Sequence, residues 1–302
     1  MPFAVRPQFD WRLRTRSLAL GARTLVMGIL NATPDSFSDG GQFLDPRAAQ
    51  DHALEMLDEG ADILDLGGES TRPNATPVTP AEEQARVLPI LREILAARPD
   101  AILSIDTTHA ETARLAIEAG AEIVNDVSGF LWDEAMAATC ATLNCGAILM
   151  HTRGRPHEWR MLPALAPDEV LPLVLRELNE RAHAALAAGI AQDSIVLDPG
   201  FGFGKAFDEN FPLLAHLDAL HALGFPLLAG LSRKGFLRRA LQQAGSTHAP
   251  NPVQTQSIHV LQDATTAANT AAILAGAHIL RVHDIRSARL AADLADRILA
   301  AR

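Results

Sequence analysis

The chain repeats one pattern eight times: a short apolar run, a polar or glycine-rich turn, then a longer stretch with helical signals. The runs lie at 24–30, 62–66, 101–105, 122–127, 146–150, 195–198, 226–229 and 278–282. They read as strands too apolar to face water on either side. The helical stretches fall at about 46–59, 80–97, from 108 to 119, 133–143, 167–188, 209–223, 236–275 and 285–299. Asp45-Pro46 and Thr79-Pro80 place a cap before a proline at the first helical position, and Gly60, Gly120 and Gly224 close helices. Strict alternation demands parallel strands joined by helical crossovers. Eight such units in 302 residues match a closed (β/α)8 TIM barrel, an α/β fold in a single domain. A doubly wound open sheet would need a GxGxxG turn at the first strand–helix junction, and that junction has none. Residues 24–302 are expected to form the barrel, with an insertion near 245–253 that breaks the seventh helical stretch. Residues 1–23 form a lead-in that makes a short hairpin at the barrel's base.

Composition narrows the partners. A net charge of −10 argues against a nucleic-acid binder, which needs a basic face. It leaves room for small anions, which need only a few local cations. No apolar run has the length of a membrane span, and residues 1–22 lack the apolar core of a signal peptide. No membrane partner and a cytoplasmic location are expected. Cys140 and Cys145 fit no zinc spacing and read as small apolar residues of a reduced protein.

A barrel gathers the ends of its strands at one mouth. Here the mouth would collect Asn31, Thr71, Arg72, Asp106, Asn125, Met150, Asp198, Phe203, Lys205, Ser232, Lys234, Arg281 and His283. Any one of these residues has an ordinary explanation as a helix cap or turn residue. So many polar groups at successive strand ends do not, because a scaffold needs no such collection on one face. They divide into a cationic half and an acidic or amide half. Arg72, Lys234, Arg281 and His283 suit a pyrophosphate, and the Asn31 carbonyl oxygen suits Mg²⁺. Asp106, Asn125 and Asp198 suit the donor-bearing edge of a flat heterocycle, with Met150 and Phe203 as apolar walls.

The motifs in order are Gly28-Ile-Leu-Asn-Ala-Thr-Pro-Asp-Ser-Phe-Ser-Asp-Gly-Gly41, Asp65-Leu-Gly-Gly-Glu-Ser-Thr-Arg-Pro73, Ser104-Ile-Asp-Thr107, Asn125-Asp-Val-Ser-Gly129, Leu149-Met-His151, Asp198-Pro-Gly-Phe-Gly-Phe-Gly-Lys205, Ser232-Arg-Lys234 and Arg281-Val-His-Asp284. Together they resemble the dihydropteroate synthase family of folate biosynthesis, the sulfonamide target, over about residues 25–284. The resemblance implies condensation of (7,8-dihydropterin-6-yl)methyl diphosphate with p-aminobenzoate, with Mg²⁺ as cofactor and a homodimer as the assembly. It implies a pterin site of Asp106, Asn125, Met150, Asp198, Gly230, Lys234 and Arg281. The implied pyrophosphate site is Asn31, Thr71, Arg72, Arg281 and His283, with the metal at Asn31. The p-aminobenzoate neighbourhood maps to Thr71, Arg72, Pro73, Phe203, Ser232 and Lys234, aided by a first loop carrying Phe37 and Asp39. Asp106, Asp198, Lys234 and Arg281 are the implied catalytic group. Lys205 first reads as a phosphate ligand, but the anion is better held from Asn31, Arg72, Arg281 and His283 on the other side of the mouth. Ala32 and Asn74 depart from the family's usual branched aliphatic and glycine.

Alternatives stay open from the sequence. A methyltetrahydrofolate-binding methyltransferase shares the barrel and pterin pocket but has no pyrophosphate to hold. A non-catalytic pterin-binding paralogue would not need the whole set of strand-end residues. A Schiff-base aldolase would need a lysine with a depressed pKa, and nothing around Lys234 in the sequence points to an apolar pocket.

Overall fold

The computed structural model describes residue 3 and residues 5–32, 46–69, 78–243 and 258–301. The expected insertion at 245–253, the first loop with Phe37 and Asp39, the second-loop residues Thr71, Arg72 and Pro73, and Asn74 lie outside these residues.

The lead-in forms an antiparallel hairpin of β1 (Phe9–Arg12) and β2 (Ser17–Leu20). Eight parallel strands follow: β3 (Leu25–Asn31), β4 (Ile63–Gly67), β5 (Leu103–Asp106), β6 (Ile123–Asp126), β7 (Gly146–Met150), β8 (Ile195–Asp198), β9 (Leu228–Ala229) and β10 (Ile279–Val282). Their order is β8-β7-β6-β5-β4-β3-β10-β9, and a parallel bridge between Leu197 and Leu227 joins the two ends. The sheet therefore closes, as the alternation predicts.

Nine α-helices surround the barrel among the described residues: α1 (Pro46–Asp58), α2 (Pro80–Ala97), α3 (Ala110–Glu118), α4 (Met136–Leu143), α5 (Pro167–Ala187), α6 (Asn210–Ala215), α7 (Gly235–Gln243), α8 (Ile258–Leu274) and α9 (Ile285–Ala300). Thr79 caps α2 in full: its side chain accepts from the Glu82 N–H, and the Glu82 carboxylate accepts from the Thr79 N–H. Most expected boundaries move by at most a residue or two, and three elements change more. The helix expected at 133–143 starts at Met136, because Asp133 spends its carboxylate on the N–H groups of Ala110 and Ala135. The single helix expected at 209–223 is α6 followed by a 3-10 stretch at Leu217–Leu223. The strand expected at 226–229 narrows to Leu228–Ala229.

Strand side chains alternate between two cores. Val26, Leu64, Leu66, Val124, Leu149, Leu197 and Leu280 pack outward against the helices. Leu25, Met27, Ile63, Ile123, Ile148, Val196, Leu228 and Ile279 point inward and fill the barrel together with Trp11, Leu13 and Leu20 of the lead-in. The hairpin is thus a plug. Trp11 is fully buried, and its indole N–H donates to Ser194 O at 2.9 Å. Burial of such a ring contributes a few kcal/mol. Arg6 ties the lead-in to α9 through Asp296 at 2.8 Å.

Candidate active site

Period two carries the inward face upward from the packed base to the mouth. Two residues beyond Ile63 is Asp65; beyond Ile123 is Asn125; beyond Ile148 is Met150; beyond Val196 is Asp198; beyond Leu228 is Gly230; beyond Ile279 is Arg281. Asn31 and Asp106 end their own strands, β3 and β5. These strand-end residues therefore share one rim.

Arg281 lies at the centre of this layer. It donates from Nε to Asp65 Oδ2 at 2.6 Å and from Nη2 to Asp106 Oδ2 at 2.5 Å. Asn125 donates from Nδ2 to the same Asp65 oxygen at 2.9 Å. Asp65 is fully buried. It was not among the expected site residues, although it shares their strand parity. A charged residue in the middle of the apolar run at 62–66 was the available signal, because a buried carboxylate requires a partner. The structure places the Arg281 guanidinium on the acidic half of the site, and it faces two carboxylates there.

Asp198 accepts the Gly200 N–H at 2.7 Å through Oδ1. A Cβ added to Gly230 would stand 3.7 Å from Asp198 Oδ2, so the bare backbone leaves that oxygen room for a ligand. Gly200 itself has φ +66°, and an added Cβ would meet His151 O at 1.9 Å. This turn brings Phe203 to the rim. Lys234 Nζ stands 4.0 Å above the Phe203 ring centroid, and Trp159 packs edge-on against the same ring with 5.3 Å between centroids. Trp159, in the loop after β7, was also not expected. Its loop carries no strand parity that could have flagged it. Ser232 Oγ accepts the His283 N–H at 3.2 Å and lies 2.9 Å from His283 Nδ1. The structure thus joins a residue expected near p-aminobenzoate to one expected near pyrophosphate.

Burial dominates the protonation behaviour. It pushes the Asp106 carboxyl up to about 7; Arg281 opposes this rise, and Asp65, Glu83 and Asp126 add to it. Asp198 is also raised by burial, against the Gly200 N–H, Lys234 and Arg281. Burial lowers Lys234 to about 8, and Asp198 and Asp106 limit the fall. Nothing around Lys234 in the sequence points to such a shift; burial in the folded mouth causes it, and a sequence does not show how deeply a side chain is buried. Lys205 donates to the backbone oxygens of Gly200 at 2.7 Å and of His151 and Phe203 at 3.4 Å. It staples the turn.

The candidate magnesium ligand Asn31 is half-buried at the end of β3, and no described residue hydrogen-bonds its side chain. A neutral, hard oxygen on the rim fits Mg²⁺, which takes few protein ligands and completes its shell with water and phosphate oxygens. Among the described residues one other group has metal-ligand spacing: Glu69, Glu83 and His109, with ligand atoms within 4.8 Å of one another. Thr107 and His109 already hydrogen-bond one Glu83 oxygen, at 2.8 and 3.0 Å.

Residues 27–283 match the family model described as pterin binding enzyme. The dihydropteroate synthase of Clostridium beijerinckii is 39% identical over 288 residues, covering 95% of this chain and 99% of that protein. The Xanthomonas albilineans dihydropteroate synthase with 4-aminobenzoic acid superposes with a TM-score of 0.81 at 40% identity, covering 98% of this chain and 99% of that one. The same enzyme with 7,8-dihydropteroate gives a TM-score of 0.79 at 37% identity, with 97% and 99% covered. The Yersinia pestis dihydropteroate synthase in a sulfonamide drug complex gives 0.84 at 36% identity, with 97% and 100% covered.

Proposed function

Since the chain belongs to the pterin binding enzyme family, we propose that its barrel mouth makes 7,8-dihydropteroate from (7,8-dihydropterin-6-yl)methyl diphosphate and p-aminobenzoate, releasing pyrophosphate. The observation that carries this reading is the inward-facing layer of Asp106, Asn125 and Asp198 beside Lys234 and Arg281, on a chain whose relatives are synthases over nearly their whole length. The layer offers acceptors to the donor-bearing edge of a pterin and a guanidinium to its face.

The chemistry follows from charge. The C–O bond between the pterin methylene and the diphosphate breaks, and the leaving oxygen keeps the electron pair. Asn31 and His283 are the anion side of the mouth, Arg281 reaches it from its seat between Asp65 and Asp106, and the resemblance adds Thr71 and Arg72, which lie outside the described residues. Mg²⁺, when bound at Asn31, would supply positive charge to the diphosphate oxygens. The electron-rich dihydropterin shares the positive charge left on the methylene, and the Asp106 and Asp198 carboxylates stabilise it electrostatically. The neutral aniline nitrogen attacks without a strong base, so the protein mainly positions the reactants. Phe203, Ser232 and Lys234 are the p-aminobenzoate side, where a sulfonamide would compete; Thr71, Arg72 and Pro73, which the resemblance adds to it, lie outside the described residues.

Two further parts of the reading concern assembly and location. Leu290, Leu294 and Ile298 leave a partly exposed apolar stripe along α9, which supports a homodimer. The buried free thiols of Cys140 and Cys145 support a reducing cytoplasm. No helix among the described residues is long and apolar enough to cross a membrane.

The test is pyrophosphate release by purified protein with the pterin diphosphate and Mg²⁺. Release should depend on p-aminobenzoate, and Asp198→Asn should lower pterin affinity by about 1.5–3 kcal/mol. Release at the same rate without p-aminobenzoate, or unchanged pterin affinity in the variant, would sink the assignment.

A further inference from the structure

Asp65 sits one layer below the pterin-facing residues. In the strand ladder Asp65 pairs with Ser104, whereas Gly67, Asp106 and Asn125 form the rung two residues nearer the mouth, with the same strand parity. A single oxygen, Asp65 Oδ2, accepts both the Asn125 amide and the Arg281 guanidinium. That oxygen has no donor to offer Asn125. Asn125 must therefore turn its NH₂ down toward Asp65. The amide oxygen then points the other way, toward the mouth, and no described residue hydrogen-bonds it. An amide that could present either face to a ligand is locked into presenting its acceptor.

We propose that Asp65 is a positioning residue that sets substrate specificity, by fixing the polarity of Asn125 and the seat of Arg281. Asp106, Asp198 and Asn125 then face the ligand with acceptors only. A heterocycle whose edge carries adjacent N–H donors is accepted, and one that replaces a donor with a carbonyl meets oxygen against oxygen. Discrimination of this kind is strong when the site's polar groups cannot adapt. The inference deepens the pterin reading above and rests on it.

The test compares two commercially simple probes by calorimetry: pterin, with a 2-amino group, and lumazine, with a 2-oxo group. The wild type should prefer pterin. Asp65→Leu removes the acceptor, frees the Asn125 amide to turn, and should lower the pterin-to-lumazine affinity ratio by about ten-fold or more. Asp65→Asn keeps a carbonyl that can still accept, and should restore part of the ratio. A folded Asp65→Leu protein with the wild-type ratio overturns the inference while leaving the pterin reading intact. A wild type that binds neither probe defeats the pterin reading itself. Should Asp65→Leu lack a cooperative melt, side-chain amide NMR on the wild type decides. The Asn125 NH₂ protons should stay protected from exchange with and without pterin and show no NOE to bound pterin; such an NOE overturns the inference.

Discussion

At the scale of residues, the site works through two groups whose charges burial has brought toward neutrality. Asp106 is held at about 7 and Lys234 at about 8. The signs give a narrow window. Below about 7 the Asp106 carboxyl takes a proton, loses its charge and becomes a weaker acceptor for a ligand N–H. Above about 8 the Lys234 ammonium loses its charge beside Asp198 and Asp106. Pterin affinity should therefore peak between these values and fall on both sides. Titration calorimetry from pH 5.5 to 9.5, a range of about four units spanning both groups, checks this. Asp106→Asn should abolish the acid limb; an acid limb that survives in that variant assigns it to another group. Asp106 and Asp198 were legible because each sits at the end of an apolar run where a carboxylate has no packing role, and Asn125 because an amide there opens the polar Asn125-Asp126 pair. Asp65 was not singled out, because it lies inside its run and its partners come from β6 and β10.

At the scale of elements, the loops after β7 and β8 make one unit. Trp159 from the first supports the Phe203 ring from the second, and Lys234 after β9 caps the other contact. An edge-on aromatic pair contributes about 0.5–1.5 kcal/mol beyond its burial. Trp159→Ala should therefore raise the KM for p-aminobenzoate by a few-fold, on the order of two- to ten-fold, and leave pterin affinity unchanged. Steady-state kinetics with each substrate varied separates the two. A change confined to the pterin side would show that the ring pair serves the other pocket. The turn at Gly200 is less forgiving. Its positive φ and the His151 carbonyl leave no space for a side chain. Gly200→Ala should destabilise the protein by well over about 2 kcal/mol, read as a shift of the denaturation midpoint. Glycine-rich spacing announced this turn in the sequence. The packing of Trp159 on it could not be read there, since an edge-on ring contact between two loops leaves no periodic trace.

At the scale of the whole molecule, the barrel is closed at its base by its own lead-in. His278 joins them: its Nδ1 accepts the Leu227 N–H at 3.0 Å, and its Nε2 lies 2.9 Å from Pro7 O. These contacts require a neutral ring with the hydrogen on Nε2. Burial lowers its pKa to about 3 from an ordinary 6.5. The unfolded ring takes up a proton near 6.5 and the folded one does not, so its contribution is whole above 6.5 and is lost as pH falls toward about 3. Between pH 7 and pH 4.5 the wild type should lose stability on the order of 2–3 kcal/mol from this group, measured by guanidinium denaturation. His278→Gln should lose markedly less over the same interval; an equal loss places the acid sensitivity elsewhere.

The sequence by itself determined the barrel, the order of its units and most of the rim. Strand parity and helix caps are local, and closing eight parallel units leaves one place for their ends. Only the tertiary structure decided which groups touch. The carboxylates of Asp65 and Asp106 come from adjacent strands, yet the cation between them lies 216 and 175 residues away in the chain. Likewise, Lys234 has a lowered pKa because folding buries it, and the two carboxylates that folding sets beside it limit the fall. Charge pairing and desolvation depend on distance in space, and the chain order of residues carries that distance only after the strands have found their register.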